Sequence, residues 1–400
     1  MNTVMIFTTL VFFILEFYAF QAVRLLTSHL VIRVSYWGIT LMAYGAVLYV
    51  LNANPRPPHG QVNIAVTLFL TLILSKVFIV LFLFIEDFMR GLQFLFRKMR
   101  GEQAYMPSRK KFFSTAGMGF FAFTALLFLD GVFFGKFRHT VRRVKLKLEG
   151  LPVAFNGYKI IQISDLHSGS FPNAEKLQFT IDMINAENPD LVLFTGDAVN
   201  SYADEFIPFI PLFKAIKAKD GKFSVLGNHD YAMYGNFPNE KAKQKNIDDL
   251  IRYFQSADFR MLRNDSVRIQ KNDEEIALLG VENWGLPPFP QYGDLDKALN
   301  GVAPDLVKIL MSHDPTHFDS VVKQHPQKIH LTLSGHTHGM QFGLDLKNIR
   351  WSPVQYKYKK WADLYESQGQ YLYVNRGFGV IGYPGRVGIK PEITLFTLEG

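Results

Sequence analysis

Two histidines, His336 and His338, stand one residue apart directly after an apolar run at residues 329–333. Such a run is typical of a short buried strand, so both imidazoles are expected on the loop at its carboxyl end. Gly335 and Gly339 let that loop bend, and each ring can then approach a different one of two neighbouring ions. A pair of this kind is also typical of two hydrogen-bonded surface histidines, so its interpretation depends on the other polar residues of the chain.

Four more strand-like runs, at residues 158–164, 190–195, 222–226 and 308–311, end in similar polar residues. The side chains that follow them are Asp165, His167, Asp197, Asn228, His229 and His313. A turn or capping residue explains one polar strand end, but not five in succession. Amphipathic helices predicted at residues 173–186, 205–218 and 240–255 connect the strands into βαβ units. In open α/β sheets, ligands bind beyond the carboxyl ends of the strands, so this edge is the expected site.

The five blocks resemble, in residue type and order, the motifs of the calcineurin-like metallophosphoesterases. They read Asp165-x-His167, Gly196-Asp197, Gly227-Asn228-His229-Asp230, His313 and Gly335-His336-x-His338, within about residues 158–339. The resemblance implies an enzyme, a metal-dependent hydrolase of phosphoric ester bonds. It also implies the α/β fold of that family, a βαβ sandwich in which two mixed sheets are flanked by helices.

The resemblance further implies two divalent metal ions and a catalytic histidine. Asp197 would bridge the ions, the first also bound by Asp165, His167 and His338, and the second by Asn228, His313 and His336. His229 would face the substrate and protonate the leaving oxygen, a role that suits a residue titrating near neutrality. Such ions supply a nucleophile at neutral pH and neutralise charge on the phosphoryl oxygens. Nitrogen and oxygen ligands without thiolate suit Mn²⁺, Fe or Zn²⁺, of which we favour Mn²⁺.

Two arginines near the end of the sequence, Arg376 and Arg386, lie on glycine-rich loops that can approach the metal ions. A guanidinium group there would bind a phosphate of the substrate through two parallel hydrogen bonds. A surface salt bridge explains either residue equally well, so both hypotheses are kept.

Apolar residues near the predicted site bear on the substrate. Residues 284–290 form an apolar, proline-rich loop, and residues 231–234 contain two tyrosines. Apolar surface beside a phosphoesterase centre, on a domain tethered to a bilayer, favours a phosphate-containing lipid or lipid-linked substrate. Packing in the core accounts for some of these residues as well.

The charge of the chain is concentrated in its first third. Residues 1–139 carry 13 Lys and Arg against 5 Asp and Glu, whereas residues 140–400 carry 30 against 30. The basic excess predicts contact with membrane lipids, and the balanced second part argues against nucleic acid as a partner. No cysteine is present, which excludes thiolate metal ligands and disulfides.

Four apolar stretches, at residues 4–23, 34–51, 64–85 and 112–134, are each about long enough to cross a bilayer as a helix. We therefore predict an all-α transmembrane region at residues 1–139 and a metallophosphoesterase domain at residues 140–400. Glu16 and Lys76 fall at similar depths in the first and third stretches. An unpaired charge at such a depth costs about 2.5–3.5 kcal/mol on insertion scales, so we predict a structural ion pair rather than an ion path.

Basic residues also predict the orientation in the membrane. The links between spans one and two and between spans three and four carry nine Lys or Arg, whereas the link between spans two and three carries only Arg56. By the positive-inside rule the two basic links are cytoplasmic. We therefore predict a multi-pass protein of the plasma (inner) membrane with an extracytoplasmic catalytic domain. Basic residues from Lys136 to Lys147 oppose this orientation, but most of them alternate with apolar residues as in a strand of a folded domain.

The favoured interpretation is a membrane-anchored phosphoesterase that hydrolyses a phosphoester or pyrophosphate bond of a lipid or lipid-linked substrate. One alternative is an anchored general phosphodiesterase or phosphatase that acts on soluble esters. Another is a membrane protein resembling a transporter or receptor, in which the second domain is a degenerate binding module. The intact ligand blocks oppose degeneration.

Overall fold

The chain forms two units in the computed structural model, Met1–Val132 and Phe133–Gly400. The structure describes residues 3–53, 59–101, 110–346 and 349–400. The first unit consists of long helices, and the second consists of strands connected by short helices and loops.

The first unit is built from four long helices, α1 (Thr3–Leu26), α2 (Leu30–Asn52), α3 (His59–Met99) and α4 (Lys110–Phe133). All four are long and apolar enough to cross a membrane. Large apolar side chains such as Val31, Met42 and Leu126 are exposed on the outside of the bundle, where hydrocarbon is a suitable solvent for them. The predicted four-helix transmembrane region is confirmed.

Helix α3 is longer than predicted, because it continues through the charged residues that follow the third apolar stretch. It has 41 residues and ends at Met99, whereas the predicted span ends at residue 85. Arg90 Nη2 lies 2.7 Å from Asp87 Oδ1, three residues earlier, and Lys110 Nζ lies 3.1 Å from the same oxygen. The Asp87–Arg90 pair has the spacing that supports a helix through a polar segment, whereas Lys110 belongs to α4.

The predicted pair of buried charges is present in the helix bundle. Lys76 Nζ lies 2.7 Å from Glu16 Oε2 and donates to Thr40 Oγ1 at 2.7 Å. Tyr36 donates its hydroxyl to the same glutamate oxygen at 2.6 Å. The four side chains belong to α1, α2 and α3, so the pair connects three helices at one depth. This confirms the predicted ion pair.

The second unit contains two six-stranded sheets among the described residues. Its strands are β1 (Thr140–Lys147), β2 (Lys159–Ile163), β3 (Leu191–Phe194), β4 (Lys222–Ser224), β5 (Arg260–Met261), β6 (Asp265–Lys271), β7 (Glu274–Gly280), β8 (Lys308–Met311), β9 (Leu331–Ser334), β10 (Leu344–Asp345), β11 (Arg350–Trp351), β12 (Asp363–Ser367), β13 (Gln370–Val374) and β14 (Glu392–Glu399). Its α-helices are α5 (Gln178–Ala186), α6 (Ile210–Lys214), α7 (Glu240–Ser256), α8 (Leu295–Ala298) and α9 (Thr316–Ser320).

The first sheet has the order β1-β14-β2-β3-β4-β5, and the second has the order β12-β13-β9-β8-β7-β6. Strand β14 lies between β1 and β2, parallel to β1 and antiparallel to β2. Strands β2, β3, β4 and β5 are parallel neighbours, and so are β7, β8, β9 and β13. Both sheets are therefore mixed, and β10 and β11 form a separate hairpin.

Three buried clusters explain why the sheets stack. One cluster joins apolar residues of both sheets, including Leu193 and Phe396 of the first and Ile309 and Leu331 of the second. A second cluster packs α5, α6 and α7 on the outer face of the first sheet. A third packs α8 and α9 on the outer face of the second. The resulting order of layers, helix, sheet, sheet and helix, is the sandwich that the sequence predicted.

The predicted helix at residues 205–218 is largely replaced by tighter turns. A 3₁₀ helix covers Ala203–Phe209, and α6 extends only over Ile210–Lys214. Pro208 and Pro211 explain this difference, because proline has no backbone N–H to donate inside an α-helix. The hairpin β10–β11 and the strand β12 have no counterpart in the sequence-based prediction.

Candidate metal centre

The structure brings together all seven predicted metal ligands. They follow five strands of the two sheets: Asp165 and His167 follow β2, Asp197 follows β3, Asn228 follows β4, His313 follows β8, and His336 and His338 follow β9. Strands β2, β3 and β4 are parallel neighbours, as are β8 and β9. The carboxyl ends of neighbouring parallel strands lie at one edge, which explains how residues far apart in sequence meet.

Five of these residues hold an uncommon backbone conformation. The φ angle is 55° at Asp165, 47° at His167, 59° at Asp197, 72° at His336 and 52° at His338. Non-glycine residues in this left-handed region each cost roughly 1–3 kcal/mol, and they persist only where the surrounding structure enforces them. The concentration of strain at the ligand positions is typical of a functional site.

The first group of ligand atoms comes from Asp165, His167 and His338, which are all buried. His338 Nε2 lies 3.2 Å from Asp165 Oδ1 and 3.0 Å from His167 Nε2. Two facing ring nitrogens share at most one proton in a hydrogen bond, whereas a cation can accept both lone pairs. The arrangement is that of a cation site.

The second group comes from Asn228, His313 and His336. His336 Nδ1 lies 2.8 Å from Asn228 Oδ1 and 3.3 Å from His313 Nε2. His313 donates a hydrogen bond from Nδ1 to the carbonyl oxygen of Thr195 at 2.8 Å. That bond fixes the tautomer and leaves the lone pair of Nε2 directed at the other ligands.

Asp197 lies between the two groups. Its Oδ2 atom is 3.2 Å from His313 Nε2 and 3.6 Å from His167 Nε2. Its Oδ1 atom accepts a hydrogen bond from the backbone N–H of His229 at 2.8 Å. One carboxylate oxygen is therefore close to a nitrogen of each group, which is the geometry that a bridging ligand needs.

This donor set fits two divalent cations. It consists of imidazole nitrogens and of carboxylate and amide oxygens, without sulfur, which suits transition metals such as Mn, Fe and Zn. Burying so many lone pairs and two carboxylates without a positive partner is unfavourable. Bound cations would supply the missing positive charge.

The pKa values in the site follow from burial and from close contacts. Burial alone would raise the pKa of Asp197, but the nearby His313 and His229 hold it well below its usual range. Burial lowers the pKa of His313, and the Asp197 carboxylate outweighs this effect and raises the pKa to about 10. A bound cation would displace the proton from Nε2 and restore its lone pair. Burial and the charge of Asp197 raise the pKa of Asp230 to about 7. Asp197 therefore keeps its negative charge, as a cation ligand must.

The ring of His336 is supported from the side opposite to the other ligands. Its Nε2 atom lies 2.8 Å from the hydroxyl of Tyr358 and 3.5 Å from Asp314 Oδ2. That carboxylate oxygen is buried and has no hydrogen-bond partner. The Tyr358 hydroxyl is an acceptor of the kind that orients a metal-binding imidazole, and the Asp314 carboxylate adds negative charge on the same side.

Asp230 and Gly335 shape the loops that carry the ligands. The carboxylate of Asp230 accepts hydrogen bonds from the backbone N–H groups of Asp197, Ala198 and Gly227, so its role is structural. A Cβ atom at Gly335 would overlap the carboxylate of Asp165 and the hydroxyl of Ser164. Gly335 is thus required for close approach of two loops, and not only for the bend that its sequence context predicts.

Comparison with known proteins agrees with this geometry. Residues 158–340 match the family described as Calcineurin-like phosphoesterase. Residues 1–136 match a family described as Probable Calcineurin-like phosphoesterase, transmembrane domain. The metallophosphoesterase YkuE of Bacillus subtilis (strain 168) is 32% identical over 259 residues, which cover 64% of this chain and 83% of that protein.

The chain belongs to the calcineurin-like metallophosphoesterases. A metallophosphoesterase of Helicobacter pylori (strain J99) is 27% identical over 395 residues, which cover 97% of this chain and 96% of that protein. The bovine transmembrane protein with metallophosphoesterase domain is 28% identical, and the match covers 65% of this chain and 57% of the bovine protein. The predicted family and reaction class are confirmed: this is a membrane-associated hydrolase of phosphoester bonds.

The prediction that Arg376 binds the substrate of this metallophosphoesterase is wrong. Its side chain is completely buried. Its guanidinium lies 2.6 Å from Asp363 Oδ1, 2.8 Å from Glu392 Oε2 and 3.2 Å from Asp345 Oδ2. Three carboxylates therefore already bind the guanidinium group, which is not free to bind a substrate phosphate.

The corresponding prediction for Arg386 is also wrong. The side chain is buried, and it donates hydrogen bonds to the carbonyl oxygens of Gly379, Arg376 and Gly377. Its Nη2 atom is 3.4 Å from Nδ1 of His338, the ring nitrogen that does not face the other ligands. Arg386 supports the loop behind His338 and does not reach the substrate side.

A pocket of about 280 Å³ opens at the metal centre of the metallophosphoesterase. Five of the seven ligands line it, and Tyr234, Phe289, Val354, Tyr358 and Ile381 line it together with Lys357. The Phe289 ring centre lies 4.7 Å from that of His336. Of the proline-rich loop at residues 284–290, Phe289 thus reaches the pocket, whereas Trp284 stacks on His317 at 5.2 Å.

His229 lies in the same pocket. Its Nδ1 atom donates to the carbonyl oxygen of Asn200 at 2.9 Å, which leaves Nε2 as the nitrogen available to a ligand. Its ring centre is 4.8 Å from that of His167 and 4.3 Å from that of Tyr234. The side chain is only half-buried, in contrast to most of the ligands.

Four residues of the site were missed by the sequence-based prediction: Asn200, Asp314, Lys357 and Tyr358. Asp314 directly follows His313, so its position next to a ligand could have identified it. Lys357 and Tyr358 follow a short hairpin and a 3₁₀ helix, Pro353–Tyr356, which have no periodic pattern. No sequence signal available here indicates that this segment folds over the metal centre.

Proposed function

We propose that this metallophosphoesterase hydrolyses a phosphoester or pyrophosphate bond of a lipid or lipid-linked substrate. The observation that carries this proposal is the wall of the metal pocket, where Tyr234, Phe289, Val354 and Ile381 surround the phosphate-binding end. A small polar ester gains nothing from such a wall, whereas the apolar part of a lipid loses unfavourable contact with water.

Exposed apolar side chains around the pocket support the same proposal. Met233 and Leu286 flank pocket residues and are 41% and 50% exposed. The hairpin β10–β11, which precedes the pocket-lining segment, carries Leu344 and Ile349 with 51% and 57% exposure. Surface of this kind is costly in water and suits contact with lipid. The membrane-spanning helices of the same chain tether the catalytic domain to a bilayer.

We assign the two ion sites on the distances described above. Asp197 would bridge the ions, Asp165, His167 and His338 would complete one site, and Asn228, His313 and His336 would complete the other. Divalent ions, for which Mn²⁺ is our first choice, supply a nucleophile at neutral pH and positive charge around the phosphoryl oxygens. The protein supplies the orientation, because strained loops and hydrogen-bonded imidazoles hold the ligands in place.

His229 is the general acid in this proposal. Its Nδ1–H is engaged by the Asn200 carbonyl, so Nε2 is the nitrogen that can hold and release a proton in the pocket. Donation from Nε2 to the leaving oxygen prevents an unstable alkoxide from forming as the phosphorus–oxygen bond breaks. The aromatic ring of Tyr234, 4.3 Å away, limits the positions that the imidazole can take.

The experiment that tests the function uses the full chain in detergent with Mn²⁺. Phospholipids, lipid pyrophosphates and soluble phosphodiesters are offered in parallel to the wild type and to His229→Asn. We expect release of phosphate-containing product from lipids, a loss of about 10²–10⁴-fold in the variant, and unchanged metal content. Turnover of soluble esters alone would reject the lipid substrate and favour the anchored general phosphodiesterase.

We also propose that the chain resides in the plasma (inner) membrane with its catalytic domain outside the cytoplasm. The asymmetry of basic residues between the two sides of the membrane supports this orientation. A reporter that is active only in the cytoplasm, fused after Gly400, is expected to be silent. An active reporter would show that the catalytic domain lies in the cytoplasm. That result would leave the proposed reaction unaffected.

A further inference from the structure

We propose that Lys357 binds a second anionic group of the substrate, next to the phosphate that is hydrolysed, so that a diphosphate is preferred over a monophosphate. This inference rests on the proposed function, because it concerns the substrate of the same pocket. It narrows the substrate class to molecules that carry two neighbouring phosphates, or a phosphate and another anion.

Lys357 is the one Lys or Arg among the described residues that line the pocket. The two arginines predicted to bind phosphate are buried and occupied elsewhere. Beyond the ions themselves, a substrate anion in this pocket therefore meets a single lysine. An ammonium group on a flexible stem is a common ligand for phosphate oxygens.

Aromatic rings hold the ammonium group next to the second ion site. Lys357 Nζ lies 5.5 Å from the ring centre of Phe289 and 5.3 Å from that of Tyr358. Both rings contact His336, with ring centres 4.7 and 5.4 Å away. Cation–π contacts of this kind orient a lysine without neutralising its charge, so the charge stays available for an anion.

The surroundings of Lys357 differ from those of nearby basic residues. Lys360 is paired with Asp319, and Arg350 is paired with Asp363. In the part of the chain that the structure describes, no carboxylate forms a salt bridge with Lys357. Lys359 is exposed, does not line the pocket and is only two residues away, so it provides a matched control for the loss of one positive charge.

Binding measurements test this inference independently of turnover. The full-length, Mn²⁺-loaded protein is titrated with methylenediphosphonate and with methylphosphonate, which are not hydrolysed. In Lys357→Ala we expect the preference for the diphosphonate to fall about tenfold, the loss typical of one charge-assisted hydrogen bond. Lys357→Arg should restore most of the preference, and Lys359→Ala should leave it as in the wild type.

Kinetics with matched esters provide the second test. One alcohol is compared as its monophosphate and its diphosphate, in a long-chain and a short-chain form. Lys357→Ala should raise KM for the diphosphate about tenfold more than KM for the monophosphate, with kcat changing less. An equal rise in KM for both esters, or the same selective rise in Lys359→Ala, would overturn the inference.

The two chain lengths separate this inference from the lipid proposal. If the wild type hydrolyses only short-chain esters, the lipid substrate is rejected, but the diphosphate preference is still measured on the short pair. If neither form is hydrolysed, the phosphonate titrations alone decide whether Lys357 selects the second anion. A preference for the diphosphate or diphosphonate that is unchanged in Lys357→Ala would reject the role of Lys357, whichever measurement is used.

Discussion

The helix bundle and the metal centre both bury charged groups, but they balance the charge differently. In the bundle, the ammonium of Lys76 meets the carboxylate of Glu16 directly, and two hydroxyls complete the hydrogen bonds. In the metal centre, nitrogen faces nitrogen, as in the 3.0 Å contact of His167 with His338. The first arrangement is complete with protein groups alone, whereas the second needs a cation.

This difference separates structural charge from functional charge. Arg376 belongs with the bundle pair, because Asp363, Glu392 and Asp345 neutralise it within the protein. A buried group whose partners are all present acts as a connection between elements. A cluster of donors that lacks its counter-charge indicates a site for an ion or ligand.

Asp197→Asn should have the largest effect, because it removes the negative charge of the carboxylate that lies between the two groups of ligands. We expect phosphoesterase activity to fall by more than about 10³-fold, since ions that position and activate the reactants would be lost or misplaced. Metal analysis of the purified protein should show less than the wild-type content. Asp273→Asn, on an exposed turn, is the control; full metal and activity in Asp197→Asn would contradict the assigned bridge.

Lys76→Met breaks the pair in the bundle and leaves the carboxylate of Glu16 buried without its cation. Removing one partner of a buried ion pair typically costs about 3–5 kcal/mol. We expect a marked loss of thermal stability in detergent. The double variant Glu16→Gln with Lys76→Met should recover most of it, because no charge is then left unpaired. A double variant as unstable as the single one would show that the two charged side chains themselves are needed for stability, and not only the neutralisation of one by the other.

His139 differs from the charged groups above, because it is a buried titratable group that stays neutral. Burial lowers its pKa to about 4, and its Nε2 donates to the Phe378 carbonyl at 2.9 Å. Between pH 6.5 and 4 the unfolded chain binds a proton that the folded chain does not, so stability falls as the pH falls. The free energy of unfolding should fall by about 3 kcal/mol because of this group.

Chemical unfolding of the full chain at pH 7 and pH 4.5 measures this effect. The difference between the two pH values should be smaller in His139→Gln than in the wild type, because glutamine keeps a donor but does not titrate in this range. Metal ligands titrate in both proteins, so the comparison between the proteins isolates His139. Equal pH dependence would contradict the prediction.

Tyr358→Phe should have the smallest effect. The variant removes the hydroxyl 2.8 Å from His336 Nε2 but keeps the ring. Loss of a partner that orients a metal-binding imidazole typically costs about 10–100-fold in metal affinity, and we expect the lower part of that range because Asp314 stays in place. Metal titration by calorimetry should show one weakened site. Tyr356→Phe, in an exposed side chain, should bind both ions normally.

Much of the fold was predictable because the signals are local. Apolar runs of bilayer length identified the four helices, and apolar runs ending in Asp, His or Asn identified the strands that carry the ligands. Glu16 and Lys76 could be paired because helices have a fixed rise per residue. The seven proposed ligands lie at strand ends, where the sequence changes from apolar to polar, and the resemblance to the family's motifs selected them from the polar residues there.

Other features depend on contacts between distant parts of the chain. Arg376 has the same sequence context whether it faces a phosphate or three carboxylates, and Asp345, Asp363 and Glu392 converge on it only after folding. Lys357 and Tyr358 reach the pocket through an irregular segment, so no period or motif indicates their position. The strained φ angles of the ligands are equally hard to predict, since Asp and His enter the left-handed region more often than most residues but still uncommonly.

The pairing of β1 with β14 has a consequence for synthesis on the ribosome. Thr140 is in register with Glu392 and Lys147 with Glu399, and β14 also separates β1 from β2. Strand β1 therefore remains without this neighbour until residues 392–399 have been translated. Contacts between such distant segments form slowly. Insertion of the helices can precede this step, so we expect the catalytic domain to complete its first sheet only after β14 has left the ribosome.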